Sequence, residues 1–227
     1  AAREGEVVGL IGPNGAGTIT LFNVLSGFLT PEWGRASLHG RDLLGLPPHG
    51  RARLGLARTF QDLRLLPRLS VLDNVALFML VDPGERLRDV LFRWRQTARE
   101  ESACRRRAAA ILEAVDLSGQ ANSSPGDLSY GQQKLLGLAR SMAARASLFL
   151  LDEPVSGVAP GLMDRIVTLI RGLAVSGGAV ILIEHDLASV ARVCDRVIFM
   201  DAGVKVTEGT LDEVRGDPRV IERYLGG

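Results

Sequence analysis

The stretch Gly12-Pro13-Asn14-Gly15-Ala16-Gly17-Thr18-Ile19-Thr20 constrains the fold of this chain more than any other segment. An apolar run, Val7 to Ile11, feeds it, and a helical pattern from Thr20 to Leu25 leaves it. Glycines there let successive backbone N–H groups turn toward one point, and the following helix aims its partial positive charge at that point, which suits a phosphate. A complete nucleotide-binding loop reads G-x-x-x-x-G-K-[ST], with the lysine on the β/γ-phosphates and the hydroxyl on Mg²⁺. Those two positions here hold Thr18 and Ile19. Sliding the match by one residue to make Thr20 the metal ligand fails, because one helical step turns a side chain by ~100° about the axis. The cradle is present and its two reactive side chains are absent. A glycine-rich loop alone is a turn more often than a ligand site, so the rest of the chain must decide.

Composition narrows the class. The 227 residues, 46% hydrophobic with a net charge of +1, describe a globular core and exclude disordered or fibrous classes. With 27 basic against 26 acidic residues there is no field to attract nucleic acid, and Arg105-Arg106-Arg107 reads as a solvated helix face. Cys104 and Cys194 are too few and too isolated for a disulfide framework or a metal site, which fits a reducing compartment. No apolar run approaches the ~18 residues that span a bilayer, so the chain reads as soluble and a membrane role needs a partner. Residue 1 is Ala, and the glycine loop follows almost at once, so an upstream part is expected to be missing.

Glu6 to Ile11 reads as a strand buried on both faces of a parallel sheet. After the first helix, Gly27 and Thr30-Pro31-Glu32-Trp33-Gly34 stop regular structure, and Arg35 to Gly40 reads as a short strand. Pro47 and Pro48 open a brief helix through Arg53, and Gly55 to Phe60 is strand-like and ends at Gln61. From Asp62 to about Asp127 the periodicity turns helical, over Val71 to Leu80 and over Arg86 to about Val115 around Pro83-Gly84. Gly119 to Asp127 is a loop, and Leu128-Ser129-Tyr130-Gly131-Gln132-Gln133 opens a helix that runs to about Ala144. Leu148 to Leu151 is a second buried strand and ends in Asp152-Glu153-Pro154. A helix over Gly161 to Ala174 precedes a third, Ala179 to Ile183, ending at Glu184-His185-Asp186. Arg196 to Met200 and Val204 to Val206 read as a terminal hairpin, followed by short helices over Thr210 to Val214 and Pro218 to Leu225.

Three buried strands thus each deliver polar groups at an end, and in an open α/β sheet the carboxyl ends of the strands are where ligands bind. Phosphoryl transfer to water needs a cradle, a metal, a carboxylate for that metal and a group that orients the water. Asp152 suits the metal's shell, and Glu153 beside it can polarise the water. A lone Asp-Glu pair would be a solvated strand end; four apolar residues directly before it favour the functional reading.

With these residues together, the chain resembles over essentially its whole length the nucleotide-binding subunit of an ABC transporter. Five motifs occur in that family's order: the loop Gly12 to Thr20, the glutamine of Thr59-Phe60-Gln61, the signature Leu128-Ser129-Tyr130-Gly131-Gln132, Asp152-Glu153, and His185. The resemblance implies an α/β, P-loop NTPase (ABC-type) core with a mainly parallel sheet and an inserted helical subdomain. The core would comprise residues 1–61 and 145–227, lacking its N-terminal strands, and the subdomain residues 62–144. It also implies ATP and Mg²⁺ as ligands, with Gly12, Pro13, Asn14, Gly15, Ala16, Gly17, Thr18, Ile19 and Thr20 around the phosphates. Gln61 and Asp152 would stand at the metal, Glu153 and His185 would be catalytic, and Ser129, Gly131 and Gln132 would meet the ATP of the opposite subunit. Two such domains sandwich ATP head to tail, so function implies a dimer. Tyr130, the long helical stretch and the ending Glu208-Gly209-Thr210 through Asp217-Pro218-Arg219-Val220-Ile221-Glu222 resemble the ATPase subunits of branched-chain amino-acid importers. That resemblance implies a second ATPase subunit, transmembrane permeases, a periplasmic binding protein and a place at the cytoplasmic face of the inner membrane.

Departures stand beside the matches. Besides Thr18 and Ile19, Ala159 occupies a position where the family usually has Asn or Asp, and the aromatic that stacks on adenine is absent from this sequence. The only lysines, Lys134 and Lys205, lie far from the loop in sequence. Two function classes follow: an energising subunit of an importer, or a catalytically silent domain serving as the structural or regulatory half of a heterodimer. A third, an ATPase of DNA repair or chromosome handling, is disfavoured because there are no sustained heptads.

Overall fold

The computed structural model describes residues 1–79 and 94–225. In chain order its elements are β1 (Val7–Ile11), α1 (Thr18–Ser26), β2 (Ser37–Leu38), β3 (Arg41–Asp42), α2 (Pro48–Arg53), β4 (Leu56–Arg58) and α3 (Val71–Ala76). They continue with α4 (Trp94–Ala114), α5 (Tyr130–Ala143), β5 (Leu148–Asp152), α6 (Pro160–Val175), β6 (Ala179–Ile183) and α7 (Leu187–Val193). The chain closes with β7 (Arg196–Asp201), β8 (Val204–Gly209), α8 (Leu211–Gly216) and α9 (Pro218–Leu225). Residues Ala1–Gln61 with Ala146–Gly227 form one compact unit, and Asp62–Arg145 another. The expected helical stretch from Arg86 onward lies outside the described residues up to 93, and from Trp94 to Ala114 it is helix.

In the first unit a six-stranded sheet runs in the order β4-β5-β6-β1-β7-β8. All pairings are parallel except the β7–β8 hairpin. The apolar runs dictate this: a strand with α-helical crossovers on both faces must bury every side chain, and all five residues of β1 and of β5 are buried. Alternation along β1 then splits the interior into two layers. Leu10 packs with Phe22, Leu43, Leu56, Leu150, Ile183 and Met200, whereas Ile11 packs with Val190, Val197, Phe199, Val214 and Val220.

The helix behind the glycine loop is gripped from the side. Arg51, a buried arginine of α2, donates to the backbone oxygens of Val24 and, at 2.9 Å, Leu25, and also to Leu46 at 2.7 Å. The Val24 and Leu25 carbonyls lie in the last turn of α1, where a fixed cation supplies hydrogen bonds and complements the helix dipole. Arg58 of β4 donates to Asn23 Oδ1 (2.8 Å) and Ser26 Oγ (2.6 Å) and stacks over the Phe60 ring at 4.7 Å. The segment expected as one strand, Arg35 to Gly40, instead forms half of a two-residue ladder, Ser37–Leu38 against Arg41–Asp42. His39 (φ 51°) and Gly40 (φ 72°) make its left-handed turn, which ends the strand early.

In the second unit, α3, α4 and α5 bury Val71, Val75, Ala108, Leu112, Leu136 and Ala139. The fully buried Asn74 braces the approach to α3. Its Oδ1 accepts from Leu66 N–H at 2.9 Å, and its Nδ2 donates to the carbonyls of Leu66 and Ser70 at 3.1 and 3.0 Å. Among the described residues no helix is long and apolar enough to cross a membrane.

Candidate functional site

Because β5, β6 and β1 are adjacent and parallel, their carboxyl ends share one edge of the sheet. The glycine loop, Asp152-Glu153 and Glu184-His185 all leave from that edge, and Gln61 lies three residues past the end of β4 on the same side.

The loop begins at Gly12, where a Cβ would stand 2.2 Å from the carbonyl oxygen of Met200 and 2.6 Å from Ala16 Cβ; no other residue fits. Pro13 to Ala16 close a turn, with Ala16 N–H donating to Pro13 O at 3.0 Å. Gly15 (φ 84°) meets no steric obstacle and is required by its backbone angle alone. Gly17 (φ 93°) is the N-cap of α1, which starts at Thr18, two residues earlier than the sequence pattern indicated. A left-handed glycine there turns the chain straight into the helix. The first intrahelical bond runs from Leu21 N–H to Gly17 O, so the N–H groups of Thr18, Ile19 and Thr20 point out of the helix start, as an anion requires. Asn14, Gly15 and Thr20 are exposed, Pro13 and Gly17 half-buried, and Gly12, Ala16 and Thr18 buried. Ile19 presents an apolar side chain that is 45% exposed.

The hairpin turn between β7 and β8 backs this loop. Gly203 N–H donates to Ala16 O at 3.0 Å, and a Cβ on Gly17 would lie 3.1 Å from Gly203 Cα.

Asp152 is the last residue of β5 and is buried. Its N–H donates to the Thr59 hydroxyl oxygen at 3.0 Å, while the N–H of Glu153 donates to Ile183 O at 3.0 Å. Glu153 has φ 46°, a left-handed conformation that a non-glycine residue adopts only when its surroundings enforce it. Its Oε1 stands 3.2 Å from His185 Nε2, with the histidine side chain much the more exposed. Asp186, directly after His185, caps α7 by accepting from Ser189 N–H at 2.9 Å and from the Ser189 hydroxyl. Those hydrogen bonds, the hydroxyl's first, hold the Asp186 carboxyl below its ordinary range. Glu184 is fully buried and accepts from Val155 N–H at 2.9 Å, fixing the turn after Asp152-Glu153-Pro154.

Ser129, Gly131 and Gln132 belong to the second unit. Ser129 is the N-cap of α5: its Oγ accepts from Gln132 N–H at 3.3 Å, and Gln132 Oε1 accepts from Ser129 N–H at 2.9 Å. This capping box uses only the acceptor side of the Ser129 oxygen, so the exposed hydroxyl keeps its proton to donate.

Chemically, the sheet edge offers a backbone cradle for a phosphate chain with two carboxylates and an imidazole beside it. The cradle fits a nucleotide, since its glycines leave no Cβ in the way and its N–H groups open a helix. Asp152 and Gln61 carry side-chain oxygens at this edge, whereas Ile19 carries none. Among the described residues no group of three or more His, Cys, Asp or Glu side chains is arranged to hold a metal by itself. Sequence reasoning missed Thr59, Glu184 and Arg51. The Glu184 carboxylate directly after an apolar strand was a legible signal, whereas Thr59 and Arg51 act through register and packing.

Comparison with known proteins covers the whole chain. The family model described as "ABC transporter" matches residues 1–156. The chain is 38% identical over 225 residues to the high-affinity branched-chain amino acid transport ATP-binding protein BraF of Pseudomonas aeruginosa, covering 99% of this chain and 88% of that one. It is also 38% identical to LivG of Salmonella typhimurium, a protein named in the same way, over 99% of this chain and 88% of that one. Among solved structures, a nucleotide-free ATP-binding cassette from an ABC transporter superposes with a TM-score of 0.84 at 33% identity, covering 100% of this chain and 90% of that one. A cassette in its ADP conformation gives 0.83 at 34% identity, with 100% and 90% covered. The family model covers the glycine loop through Asp152-Glu153 and the relatives extend over nearly the whole chain, and the chain belongs to the ABC transporter family of ATP-binding cassettes.

Proposed function

We propose that this chain is the ATP-hydrolysing subunit that energises an ABC importer of branched-chain amino acids. It takes Mg-ATP as substrate and acts from the cytoplasmic face of the membrane. The observation that carries the reading is the convergence at one sheet edge of the glycine cradle, Asp152-Glu153 and His185, with Glu153 Oε1 3.2 Å from His185 Nε2. The amino acid is inferred from the names of the relatives, because this subunit would touch ATP and never the transported molecule.

In this reading the unit of residues 1–61 and 146–227 is the catalytic core and residues 62–145 are its helical subdomain. The N–H groups of the loop and of Thr18, Ile19 and Thr20 bind the phosphates, with Gly12, Pro13, Asn14, Gly15, Ala16 and Gly17 shaping the path. Asp152 and Gln61 hold the metal that accompanies ATP. Glu153 polarises the attacking water, and the imidazole of His185 orients that carboxylate and reaches the γ-phosphate. Ser129, Gly131 and Gln132 present their helix N-terminus to the nucleotide of a second ATPase subunit. Transmembrane permeases and a periplasmic binding protein complete the importer.

The test is reconstitution in proteoliposomes with transmembrane permeases and a second ATPase subunit of a branched-chain amino-acid importer, followed by ATP-driven uptake of labelled leucine, isoleucine and valine. Glu153→Gln is expected to retain nucleotide and stop turnover. Unchanged hydrolysis in that variant would remove Glu153 from its role, and ATP-dependent uptake of a different solute class would displace the substrate assignment.

A further inference from the structure

β4 and β5 pair in parallel from Leu56↔Leu148 to Arg58↔Leu150. The last regular bond of that ladder runs from Thr59 N–H to Leu150 O at 2.9 Å. In an evenly spaced parallel ladder the next donor, the N–H of Asp152, would bond to the backbone carbonyl of Thr59. It bonds instead to the Thr59 side-chain oxygen, at 3.0 Å. The hydroxyl has taken over the acceptor position of the residue's own carbonyl. That exchange lets the backbone leave the sheet after Thr59, toward Phe60 and Gln61, without stranding the N–H of a buried residue.

Position makes the exchange matter. Asp152 is held through its N–H by Thr59 on one side, and Glu153 through its N–H by Ile183 on the other. Glu153 has the left-handed φ of 46°, and the two anchors grip successive peptides on opposite sides of Asp152, so losing the Thr59 bond leaves the backbone at this strained step held from the β6 side alone. Val and Thr have the same shape, but only Thr supplies the oxygen.

We infer that Thr59 is a positioning residue for hydrolysis: its hydroxyl fixes the backbone of Asp152, and through it the aim of the Glu153 carboxylate, at the point where β4 departs toward Gln61. The inference rests on the reading of Glu153 as the carboxylate that polarises water. A misaimed carboxylate slows the chemical step and leaves the phosphate cradle, formed by a different loop, as it was.

The experiment uses the full chain in excess over Mg-ATP, so that slow single turnovers are followed, with the parent, Thr59→Val, Thr59→Ser and Glu153→Gln side by side. Thr59→Val is expected to lower the single-turnover rate roughly tenfold, the scale of one lost hydrogen bond, with Mg-ATP affinity held within about twofold. Thr59→Ser, which keeps the oxygen, should stay within about twofold of the parent in both. Amide exchange of the parent, followed at residue 152, should show protection comparable to that of Leu151, lost in Thr59→Val and kept in Thr59→Ser. A Thr59→Val rate equal to the parent's, or Thr59→Ser falling as far as Thr59→Val, overturns the inference. So does a parent Asp152 amide that exchanges as an exposed one, a result that needs no variant to fold. If Glu153→Gln turns over at the parent rate, the reading of Glu153 fails and the inference with it; if Glu153→Gln is inactive while Thr59→Val is unaffected, only the inference fails.

Discussion

Restoring the glycine loop by Thr18→Lys with Ile19→Thr should raise both nucleotide affinity and hydrolysis. The two positions act differently. Thr18 is the first residue of α1 and buried, and its short neutral hydroxyl cannot replace an ammonium group. A charge-assisted contact contributes ~1.5 to 3 kcal/mol against about 1 for a neutral one, so the lysine should add ~0.5 to 2 kcal/mol, roughly two- to thirtyfold in affinity. Ile19, 45% exposed, carries an apolar branch where the shell of the metal would lie, and threonine would replace it with an oxygen. The cradle itself depends on Gly12, Gly15 and Gly17 and on the start of α1, which neither change disturbs. The chain as it stands should therefore retain weak nucleotide binding and hydrolyse at a small fraction of the restored rate. Calorimetric titration with ATP, with and without Mg²⁺, separates the contributions. Thr18→Lys should tighten both forms, and Ile19→Thr should tighten chiefly the Mg²⁺ form. Equal affinity and equal turnover in parent and double variant would show that these two side chains do not limit the site.

Three further outcomes follow from the geometry. Gly12→Ala drives a methyl group into the Met200 carbonyl oxygen 2.2 Å away, and should cost about 2 kcal/mol in urea unfolding and abolish nucleotide binding; a stable, binding variant would mean the loop has another conformation. Glu6 accepts from Arg196 Nε at 2.8 Å, and that bond, ahead of the opposing effect of burial, holds its carboxyl below the ordinary 4.5. Its folded pKa is the lower one, so the stabilisation is complete above pH 4.5 and disappears as pH falls through the folded value; Glu6→Gln should lower Tm at pH 7 and flatten the acid limb of the Tm profile. Burial, with the nearby Asp195 and Glu184 carboxylates, pushes the Cys194 thiol up from 9.0 to about 12. The smaller thiolate fraction, partly offset by the greater nucleophilicity of a more basic thiolate, should slow its native reaction with a disulfide reagent at pH 8 by roughly tenfold or more relative to the unfolded chain, a difference read in stopped flow with and without guanidinium.

The three buried strands could be read directly because each is an uninterrupted apolar run, and a parallel sheet with covered faces leaves such a run no other use. The loop was equally plain, since glycines in that spacing serve a backbone and not a core. Two short elements did not declare themselves: α7, seven residues long, is announced only by the capping side chain of Asp186, and β3, two residues long, is too brief for any period to show, although its partner β2 lies within the stretch that reads as a strand. Thr59 was visible as a letter of the Thr59-Phe60-Gln61 motif but not as an acceptor, because its role depends on the register between β4 and β5, fixed across more than ninety positions of chain. Arg51 likewise reads as a surface charge until the end of α1 is laid against it.

The contact of the β7–β8 turn with the glycine loop bears on the order of events as the chain is made. Gly12 owes its tight path to the carbonyl of Met200, and Ala16 is held by Gly203. The first feature of the site to leave the ribosome is therefore completed by nearly the last. A nascent chain stalled before residue 200 would carry the whole glycine motif and its helix and still lack the wall that shapes them. ATP should accordingly be bound by the finished chain and refused by its incomplete forms, which would keep a half-made subunit from occupying a transporter with nucleotide it could not use.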